Sequence, residues 1–329
     1  MNFSTHFKER LLASSPEPFE HMALELFNWQ FCENAVYQKY VTYLGIDPQS
    51  ILTIDQIPCL PIEFFKHHRI ISGAERSTEQ IFESSGTTGQ LRSKHYVADL
   101  LWYHRVCERI FEQKWGALND YHIFALLPSY LERDNASLVA MANDFIRKSQ
   151  SEFSGFYLHD LPRLVQQVEG AILTGRKVLL LGVTFALLDL ADQHSLTWPE
   201  VIVMETGGMK GKRKELIRAE IHEQLMNRLG VKVVAAEYGM TELLSQAYAR
   251  HSGQFEEAPW MKILIRDMHD PFAYVAPGRQ GGINVIDLAN VDSCAFIETK
   301  DIGKTIGDRS FEVLGRFDNS ELRGCNLMI

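Results

Sequence analysis

The chain has 329 residues, of which 46% are hydrophobic and 23% are charged. These fractions are close to globular averages and exclude disordered, fibrous and collagen-like classes. The 33 basic and 42 acidic residues give a net charge of −9. This balance disfavours a general nucleic-acid or anionic-membrane surface, because such surfaces need clustered cations. The length fits about two domains, or one large α/β unit.

The cysteines and the N-terminus predict a cytoplasmic protein without a membrane anchor. Five cysteines are scattered without a C-x-x-C pair, which indicates a reducing compartment rather than a disulfide framework or a zinc site. The first twenty residues carry charges where a signal peptide would need its apolar core. The most apolar stretch, residues 178–188, is shorter than the roughly 20 residues that span a bilayer.

The first elements in chain order are predicted from hydrophobic spacing. Residues up to about 52 show helical spacing that is broken at Pro16 and Pro18. Ile81 and Phe82 open a short strand, a glycine turn follows, and a helix is predicted over residues 98–111. Strand, glycine turn and helix in this order are typical of a ligand-binding site.

The middle of the chain alternates between apolar strands and helices. Strands are predicted at 123–128, 177–183, 201–208 and 231–239, and helices at 136–146, after 183, at 212–229 and at 241–249. Val- and Leu-rich strands separated by helices indicate an α/β fold with mostly parallel sheets covered by helices. From Lys262 the pattern changes to short strands and glycine turns, so we expect an α/β core over 1–255 and a small antiparallel β subdomain over 256–329.

The hexapeptide SSGTTG is the sharpest local signal for function. Its glycines let successive backbone N–H groups point at one anion, and its four hydroxyls add donors, which suits a polyphosphate. It lacks the spacing of a Walker A loop. A plain surface turn is the alternative interpretation of the hexapeptide alone. Its residues are Ser84, Ser85, Gly86, Thr87, Thr88 and Gly89.

Three further sequence motifs follow SSGTTG along the chain. AEYGMTEL places Thr241 and Glu242 beyond a predicted strand, where a carboxylate can hold Mg²⁺ and a hydroxyl can contact a phosphate. ETKDIG carries Asp301, and VLGRFDNSELRG carries Arg316. The four blocks have the order and rough separation seen in adenylate-forming enzymes, and the chain resembles that superfamily.

Within the superfamily the chain is most similar to the LuxE-type acyl-protein synthetases, with phenylacetate-CoA ligases next. IPCLPIEFFK, LLPSYLERDNASLVAM and ETGGMKGK carry this likeness. The resemblance implies that residues 84–89 hold the β,γ-phosphates of ATP, Thr241 the α-phosphate and Glu242 the Mg²⁺. It also implies that Asp301 binds the ribose hydroxyls with help from Arg316. By the same likeness Gly207, Gly208, Tyr238 and Gly239 belong to the nucleotide and acyl site.

Two departures from the family pattern change the expected chemistry. Full-length ligases continue past the hinge block into a mobile lid domain with a catalytic lysine, whereas this sequence stops at LRGCNLMI, so no lid domain is expected. The phosphate loop reads QLRSKHY in place of the usual Pro-Lys-Gly ending. Because a carboxylate must approach a triphosphate, Arg92, Lys94 or Lys210 is expected to supply the missing positive charge beside Mg²⁺.

Cys325 is the candidate acyl acceptor. LuxE-type proteins resemble this chain in carrying a cysteine near the C-terminus that takes the acyl group from the adenylate. A thiolate is a suitable nucleophile, and Arg316 and Arg323 nearby in sequence could lower its pKa. The alternative is a buried cysteine that packs with Leu327 and Ile329.

The sequence therefore predicts an ATP- and Mg²⁺-dependent enzyme that activates a carboxylic acid, by resemblance a fatty acid, and transfers the acyl group to a thiol. In one route Cys325 accepts the acyl group and then passes it to a partner protein or reductase. In the other route the acceptor is coenzyme A or a carrier-protein pantetheine. The alternative from another class is a degenerate nucleotide- or acyl-binding subunit of a larger complex. HEQLM, residues 222–226, departs from the zinc motif H-E-x-x-H and is interpreted as a solvated helix face.

Overall fold

A computed structural model describes residues 2–13, 17–73, 77–84, 91–127, 135–157, 160–207 and 217–317. The α-helices are α1 (Phe3–Leu11), α2 (Phe19–Glu33), α3 (Ala35–Tyr43), α4 (Phe64–His67), α5 (Leu100–Trp115), α6 (Ser137–Ser149), α7 (Leu161–Ile172), α8 (Thr184–Gln193) and α9 (Arg218–Leu229). Short 3₁₀ turns lie at Pro48–Ser50, Ile54–Gln56 and Leu118–Asp120.

The strands fall into one large sheet and one separate hairpin. They are β1 (Leu60–Pro61), β2 (Gln80–Glu83), β3 (Lys94–Val97), β4 (Tyr121–Leu126), β5 (Gly155–Phe156), β6 (Lys177–Val183), β7 (Val201–Thr206), β8 (Val234–Tyr238), β9 (Ala247–Ala249), β10 (Gln254–Glu256), β11 (Met261–Arg266), β12 (Gly281–Asp287), β13 (Phe296–Thr305) and β14 (Ser310–Arg316). The large sheet has the order β11-β12-β13-β14-β10-β9-β8-β7-β6-β4-β5, and β1 pairs with β13. Strands β2 and β3 form the hairpin.

The large sheet is parallel on one side and antiparallel on the other. Strands β8, β7, β6, β4 and β5 run parallel to one another. From β9 onward the pairs along the main order are antiparallel. This confirms the predicted α/β class, with parallel strands covered by helices and antiparallel strands toward the C-terminus, and both sets belong to one sheet.

The parallel strands are built from continuous apolar runs. Every residue of β4 and β8 is buried, as is every residue of β6 after Lys177. Helices α6, α7, α8 and α9 contact these strands and shield them from water. Burial on both faces is why the runs lack a polar alternation.

The N-terminal helices are bound to the antiparallel side. The Gln30 side chain of α2 donates to the carbonyls of Asn290 and Val291 and accepts from Ala295 N. Tyr37 of α3 stacks on Phe296 at 5.9 Å between ring centroids. The division at residue 255 stays a prediction, and strand β10 spans that position while it pairs with β9 and β14.

Among the described residues, none of the helices combines the length and the apolar character that crossing a bilayer requires.

Candidate active site

The candidate site lies where parallel strands β7 and β8 end side by side. Thr206 of β7 is in register with Glu237 of β8. Carboxyl ends of parallel strands meet at one edge of a sheet, which is the usual ligand-binding edge of open α/β sheets. Gly207 and Gly239 follow the two strands and are exposed there. Gly207 has φ of +68°, a left-handed conformation that favours glycine.

Tyr238, Asp301 and Arg316 meet at this edge. The Tyr238 hydroxyl donates to Asp301 Oδ2 at 2.9 Å. Arg316 Nε lies 3.8 Å from Asp301 Oδ1, because β13 and β14 place the two residues opposite each other. Burial raises the pKa of Asp301, whereas Arg316 and the Tyr238 hydroxyl act to lower it. The result is an oriented carboxylate beside an exposed guanidinium.

Glu242 lies in a loop after β8, and its backbone is fixed by buried side chains. Asn290 Nδ2 donates to the Glu242 carbonyl at 2.7 Å. His95 Nδ1 lies 2.8 Å from the carbonyl of the preceding Thr241. Asp287 accepts from the N–H groups of Leu244 and Ser245, both at 2.9 Å. The chain around Glu242 therefore has one defined path although it lacks regular structure.

The helix predicted over residues 241–249 is wrong. The described chain has turns after Tyr238 and then strand β9 at Ala247–Ala249. All residues from Glu242 to Ala249 are buried, and the Asp287 carboxylate takes N–H groups that a helix would otherwise satisfy internally. Tertiary hydrogen bonds with a residue 42 positions away thus override the local helical pattern.

Glu242 is 4% exposed, and its carboxyl group interacts electrostatically with the other site residues. Burial raises its pKa, and a hydrogen bond with the Ser93 side chain lowers it. Arg316 also lowers the pKa of Glu242, and Asp301 raises it. These couplings place Glu242, Asp301 and Arg316 in one electrostatic environment.

A divalent cation fits Glu242 on the chemistry of its donors. Glu242 is buried, and Arg316, the cation that lowers its pKa, has its ion pair with Asp301, so a bound cation would offset the cost of burying the Glu242 carboxylate. Also within those ranges, no group of three or more His, Cys, Asp or Glu side chains could hold a metal by itself. One carboxylate completed by phosphate oxygens is an arrangement typical of Mg²⁺.

The residues that flank the predicted phosphate loop belong to the β2–β3 hairpin, whereas Ser85 to Gly89 lie outside the described residues. Ser84 N donates to the Ser93 carbonyl at 3.1 Å, and Ser93 N donates to Ser84 Oγ at 3.0 Å. These bonds join Ser84 to Ser93 at the end of the hairpin, and the Ser93 side chain forms a hydrogen bond with Glu242. Ser93 therefore connects the hairpin to the carboxylate that the sequence assigned to the metal.

The basic residues after the loop pair with a carboxylate of the same hairpin. Lys94 Nζ lies 3.8 Å from Glu83 Oε1, and Arg92 Nη1 lies 3.6 Å from Glu83 Oε2. Both distances are long for charge-assisted hydrogen bonds, and the Lys94 side chain is half exposed. Glu83 therefore does not hold either cation in a short ion pair.

Several predicted site residues lie outside the described residues. They are Ser85, Gly86, Thr87, Thr88, Gly89, Gly208, Lys210 and Cys325. Their assigned roles stay predictions.

Two buried glutamates near the strand ends were missed by the sequence reasoning. The Glu237 carboxylate accepts from the Thr206 hydroxyl, and burial raises its pKa to about 7. Glu205 binds Arg218 Nε at 2.8 Å and lies 3.7 Å from His222 Nε2. A charged residue at the end of an otherwise apolar strand was the available signal.

His222 corrects a second prediction. It was expected on a solvated helix face, but it is 7% exposed and faces Glu205. Glu205 lies near the end of β7, so His222 is on the side of α9 that faces this strand.

Gly239 has a steric function in addition to its place in the motif. A Cβ atom at this position would lie 2.3 Å from Glu237 Oε1. A larger residue here would displace the Glu237 carboxylate from the Thr206 hydroxyl.

No protein-family model matches the chain. The chain is 21% identical to the long-chain-fatty-acid–luciferin-component ligase of Aliivibrio fischeri, over 99% of this chain and 91% of that protein. This likeness covers almost the whole length of both proteins.

Solved structures of acyl-CoA ligases have the same fold. A 2-hydroxyisobutyryl-CoA ligase in complex with 2-HIB-AMP and CoA superposes with a TM-score of 0.68 at 12% identity, over 92% of this chain and 69% of that one. ATP-bound MatB from Rhodopseudomonas palustris superposes with a TM-score of 0.56 at 17% identity, over 74% of this chain and 50% of that one. The chain thus spans about half the length of MatB. The resemblance drawn from the sequence blocks is confirmed: the chain has the fold of the adenylate-forming acyl ligases and is similar along its length to a LuxE-type ligase.

Proposed function

We propose that this protein uses ATP to activate a carboxylic acid as an acyl-adenylate and then transfers the acyl group to a thiol. The observation that carries the proposal is the convergence of three separate motif blocks. Tyr238 binds Asp301, Arg316 lies opposite Asp301, and Glu242 is coupled to both and to the β2–β3 hairpin through Ser93. The likeness to ligases that bind ATP or an acyl-AMP supports the same reading.

The nucleotide is held by groups at the carboxyl edge of the sheet. Asp301 accepts the ribose hydroxyls, the Tyr238 hydroxyl orients that carboxylate, and Arg316 assists. Residues 84–89 hold the β,γ-phosphates and Thr241 contacts the α-phosphate. Gly207, Gly208 and Gly239 leave room for adenine and the acyl group, because they carry no side chain at the strand ends.

Charge neutralisation is the main catalytic requirement. Two like charges 4 Å apart repel by about 4 kcal/mol at an effective dielectric of 20. Mg²⁺ held by Glu242 would neutralise phosphate charge, and Lys94, Arg92 or Lys210 supplies further positive charge. The substrate carboxylate then attacks the α-phosphate in line and pyrophosphate leaves.

The second step needs a thiol, and we assign it to Cys325. The thiolate attacks the acyl carbonyl, the bond to AMP breaks, and AMP leaves with the electron pair while a thioester forms. Coenzyme A or a carrier-protein pantetheine would react in the same way. A reductase or acceptor protein would take the acyl group next.

A long-chain fatty acid is the proposed substrate class, because the full-length relative is a long-chain-fatty-acid ligase. We also propose a cytoplasmic location. Among the described residues the four cysteines Cys32, Cys59, Cys107 and Cys294 are free thiols, as a reducing compartment requires.

Intact-protein mass spectrometry tests the proposal. The protein is incubated with Mg²⁺-ATP and a panel of fatty and aromatic acids while AMP is measured, for wild type, Cys325→Ala and the control Cys32→Ala, whose thiol is exposed. We expect an acyl-sized mass gain that hydroxylamine removes, that Cys325→Ala abolishes and that Cys32→Ala retains. AMP without an adduct would reassign the acceptor to a soluble thiol, and no AMP with any acid would favour a binding subunit.

A further inference from the structure

A cavity of about 580 Å³ lies between the segment that joins α3 to β1, the segment that joins β11 to β12, and strand β13. Its volume is within the range of small-molecule sites. None of its lining residues is among the proposed nucleotide, metal or acyl-transfer residues. The lining residues that carry the argument are Ile51, Asp55, Cys59, Phe272, Tyr274 and Glu298.

The inner wall of the cavity carries a carboxylate that is incompletely compensated. Glu298 is about three-quarters buried, and burial raises its pKa. Arg266 Nη2 lies 3.7 Å from Glu298 Oε1, which is long for a hydrogen-bonded ion pair. Within the described part of the chain, no side-chain or backbone donor forms a hydrogen bond with the Glu298 carboxylate. This wall therefore has an acceptor with free capacity.

Arg266 cannot close on Glu298 without losing better partners. Its Nη1 donates to the Ile283 carbonyl at 3.0 Å and to Asn284 Oδ1 at 2.8 Å. Its Nη2 donates to the Thr299 carbonyl at 2.7 Å. The guanidinium is thus fixed by β12 and β13, and Glu298 stays open toward the cavity.

The remaining polar groups of the cavity are neutral or acidic. Burial raises the pKa of Cys59 to about 12, so its thiol stays protonated. Burial also raises the pKa of the neighbouring Tyr274 phenol. Asp55 adds a second carboxylate at the exposed rim. Among the described residues that line the cavity, the ionisable groups other than Cys59 and Tyr274 are the carboxylates of Glu298 and Asp55.

The rest of the lining is aliphatic or aromatic. Ile46, Ile51, Ile57 and Pro58 come from one side, and Phe272 comes from the other, where its side chain is 56% exposed. Exposed large apolar side chains around a concave site favour an apolar ligand body. A single ligand would thus meet apolar walls and a carboxylate at the inner end.

We propose that this cavity is a second binding site that takes a small aliphatic amine, with its ammonium group on Glu298 and its alkyl chain against Ile51 and Phe272. The ammonium group gives Glu298 the hydrogen-bond donor that Arg266 does not supply. The concave shape takes a whole small molecule, whereas a lysine on a protein surface would enter only by its tip. The site is distinct from the carboxyl edge where the acid and ATP are proposed to bind.

Calorimetric titration with hexylammonium chloride at constant ionic strength tests this proposal. Hexanol and hexanoate serve as uncharged and negative ligands with the same chain length. Glu298→Gln removes the charge, Asp55→Asn removes the rim charge, and Ser50→Trp fills the mouth from an exposed position. Glu200→Gln, an exposed carboxylate paired with Lys232, is the matched control.

We expect hexylammonium to bind the wild type and the Glu200→Gln protein equally, and at least about tenfold more tightly than hexanol, as an added charge-assisted hydrogen bond implies. Glu298→Gln should abolish this preference, and Ser50→Trp should abolish binding. Asp55→Asn, which removes only the rim charge, should reduce the preference for the amine. If Glu298→Gln does not fold, as judged by circular dichroism, this variant and Ser50→Trp carry the test. Equal binding of hexanol, no binding of the amine, or tighter binding of N-acetyl-lysine amide would each overturn the proposal.

The titration uses the protein without ATP, so no adenylate can form and its outcome is separate from that of the proposed adenylation.

Discussion

The hydroxyl of Tyr238 donates a hydrogen bond to Asp301 Oδ2 at 2.9 Å, across 63 positions of sequence. This contact joins the end of parallel strand β8 to antiparallel strand β13. It leaves the second carboxylate oxygen toward Arg316. Two of the sequence blocks thereby become one candidate ribose site.

Tyr238→Phe tests this contact. Loss of the hydroxyl removes a charge-assisted hydrogen bond of about 1.5 kcal/mol, so we expect KM for ATP to rise about tenfold with a smaller change in kcat. Steady-state kinetics with varied ATP measures the effect. Tyr43→Phe, at a side chain that is 86% exposed, should leave KM unchanged. An unchanged KM in Tyr238→Phe would remove Asp301 from the nucleotide site.

Asp287→Asn tests the support of the Glu242 loop. The carboxylate accepts from the N–H groups of Leu244 and Ser245 and from the Ser245 hydroxyl. An amide places an N–H₂ group against these donors, so we expect a loss of about 2–3 kcal/mol in the free energy of unfolding and a large fall in activity. Urea unfolding and AMP release measure both. Ser245→Ala removes one donor to Asp287 and also the acceptor of Trp260 Nε1, but it keeps both backbone donors on the carboxylate, so activity should fall less than in Asp287→Asn. An equal fall in activity would contradict this account.

The raised pKa of Glu237 predicts that the free energy of unfolding depends on pH. Burial raises its pKa to about 7 in the folded protein from an ordinary value of 4.5, so the folded state binds the proton more tightly than the unfolded state does. The contribution of this tighter proton binding to the free energy of unfolding is fully present below pH 4.5 and is lost as the pH rises through 7. Because one pKa unit corresponds to about 1.4 kcal/mol, the loss in free energy of unfolding between pH 5 and 8.5 is on the order of 2–3 kcal/mol.

Glu237→Gln should lack this part of the pH dependence. Urea unfolding of both proteins at pH 5 and 8.5 measures it, and the difference isolates Glu237 because the other buried carboxylates titrate in both. His95, whose pKa burial lowers to about 4, contributes to the pH dependence of both proteins and cancels in the same difference. Parallel stability curves for the two proteins would show that Glu237 has an ordinary pKa.

Gly239→Ala tests the steric function of the glycine. The new Cβ would meet Glu237 Oε1 at 2.3 Å, so we expect a loss of about 1–3 kcal/mol in the free energy of unfolding. In a Glu237→Ala background the same substitution should cost less than about 0.5 kcal/mol, because the clashing group is gone. A double-mutant cycle by urea unfolding measures the coupling. Equal costs in both backgrounds would show that the clash is absent.

The sequence was most informative where local pattern and tertiary structure agree. Strand β6 coincides with the predicted run 177–183, because a strand buried on both faces must be continuously apolar. The segment after Glu242 shows where prediction from local pattern fails. Its apolar spacing suits a helix, but the Asp287 carboxylate, 42 positions away from Ser245, takes its N–H groups. Periodicity contains no information about such a partner.

The candidate site was predictable in part for the same reason. Motif blocks identify Asp301 and Glu242, whereas the Ser84–Ser93 contact and the Thr206–Glu237 contact depend on which strands become neighbours. The register of β7 against β8 is a tertiary property. A single sequence does not specify it.

The most direct test of the account is acid-dependent exchange of labelled pyrophosphate into ATP, because this exchange requires a reversible adenylate. We predict exchange with at least one long-chain fatty acid and a fall of about 100-fold or more in Glu242→Gln, from loss of the carboxylate proposed to hold Mg²⁺. Glu223→Gln, an exposed substitution on α9, should retain the wild-type rate. Absence of exchange with every acid tested, or undiminished exchange in Glu242→Gln, would contradict the proposed adenylation site.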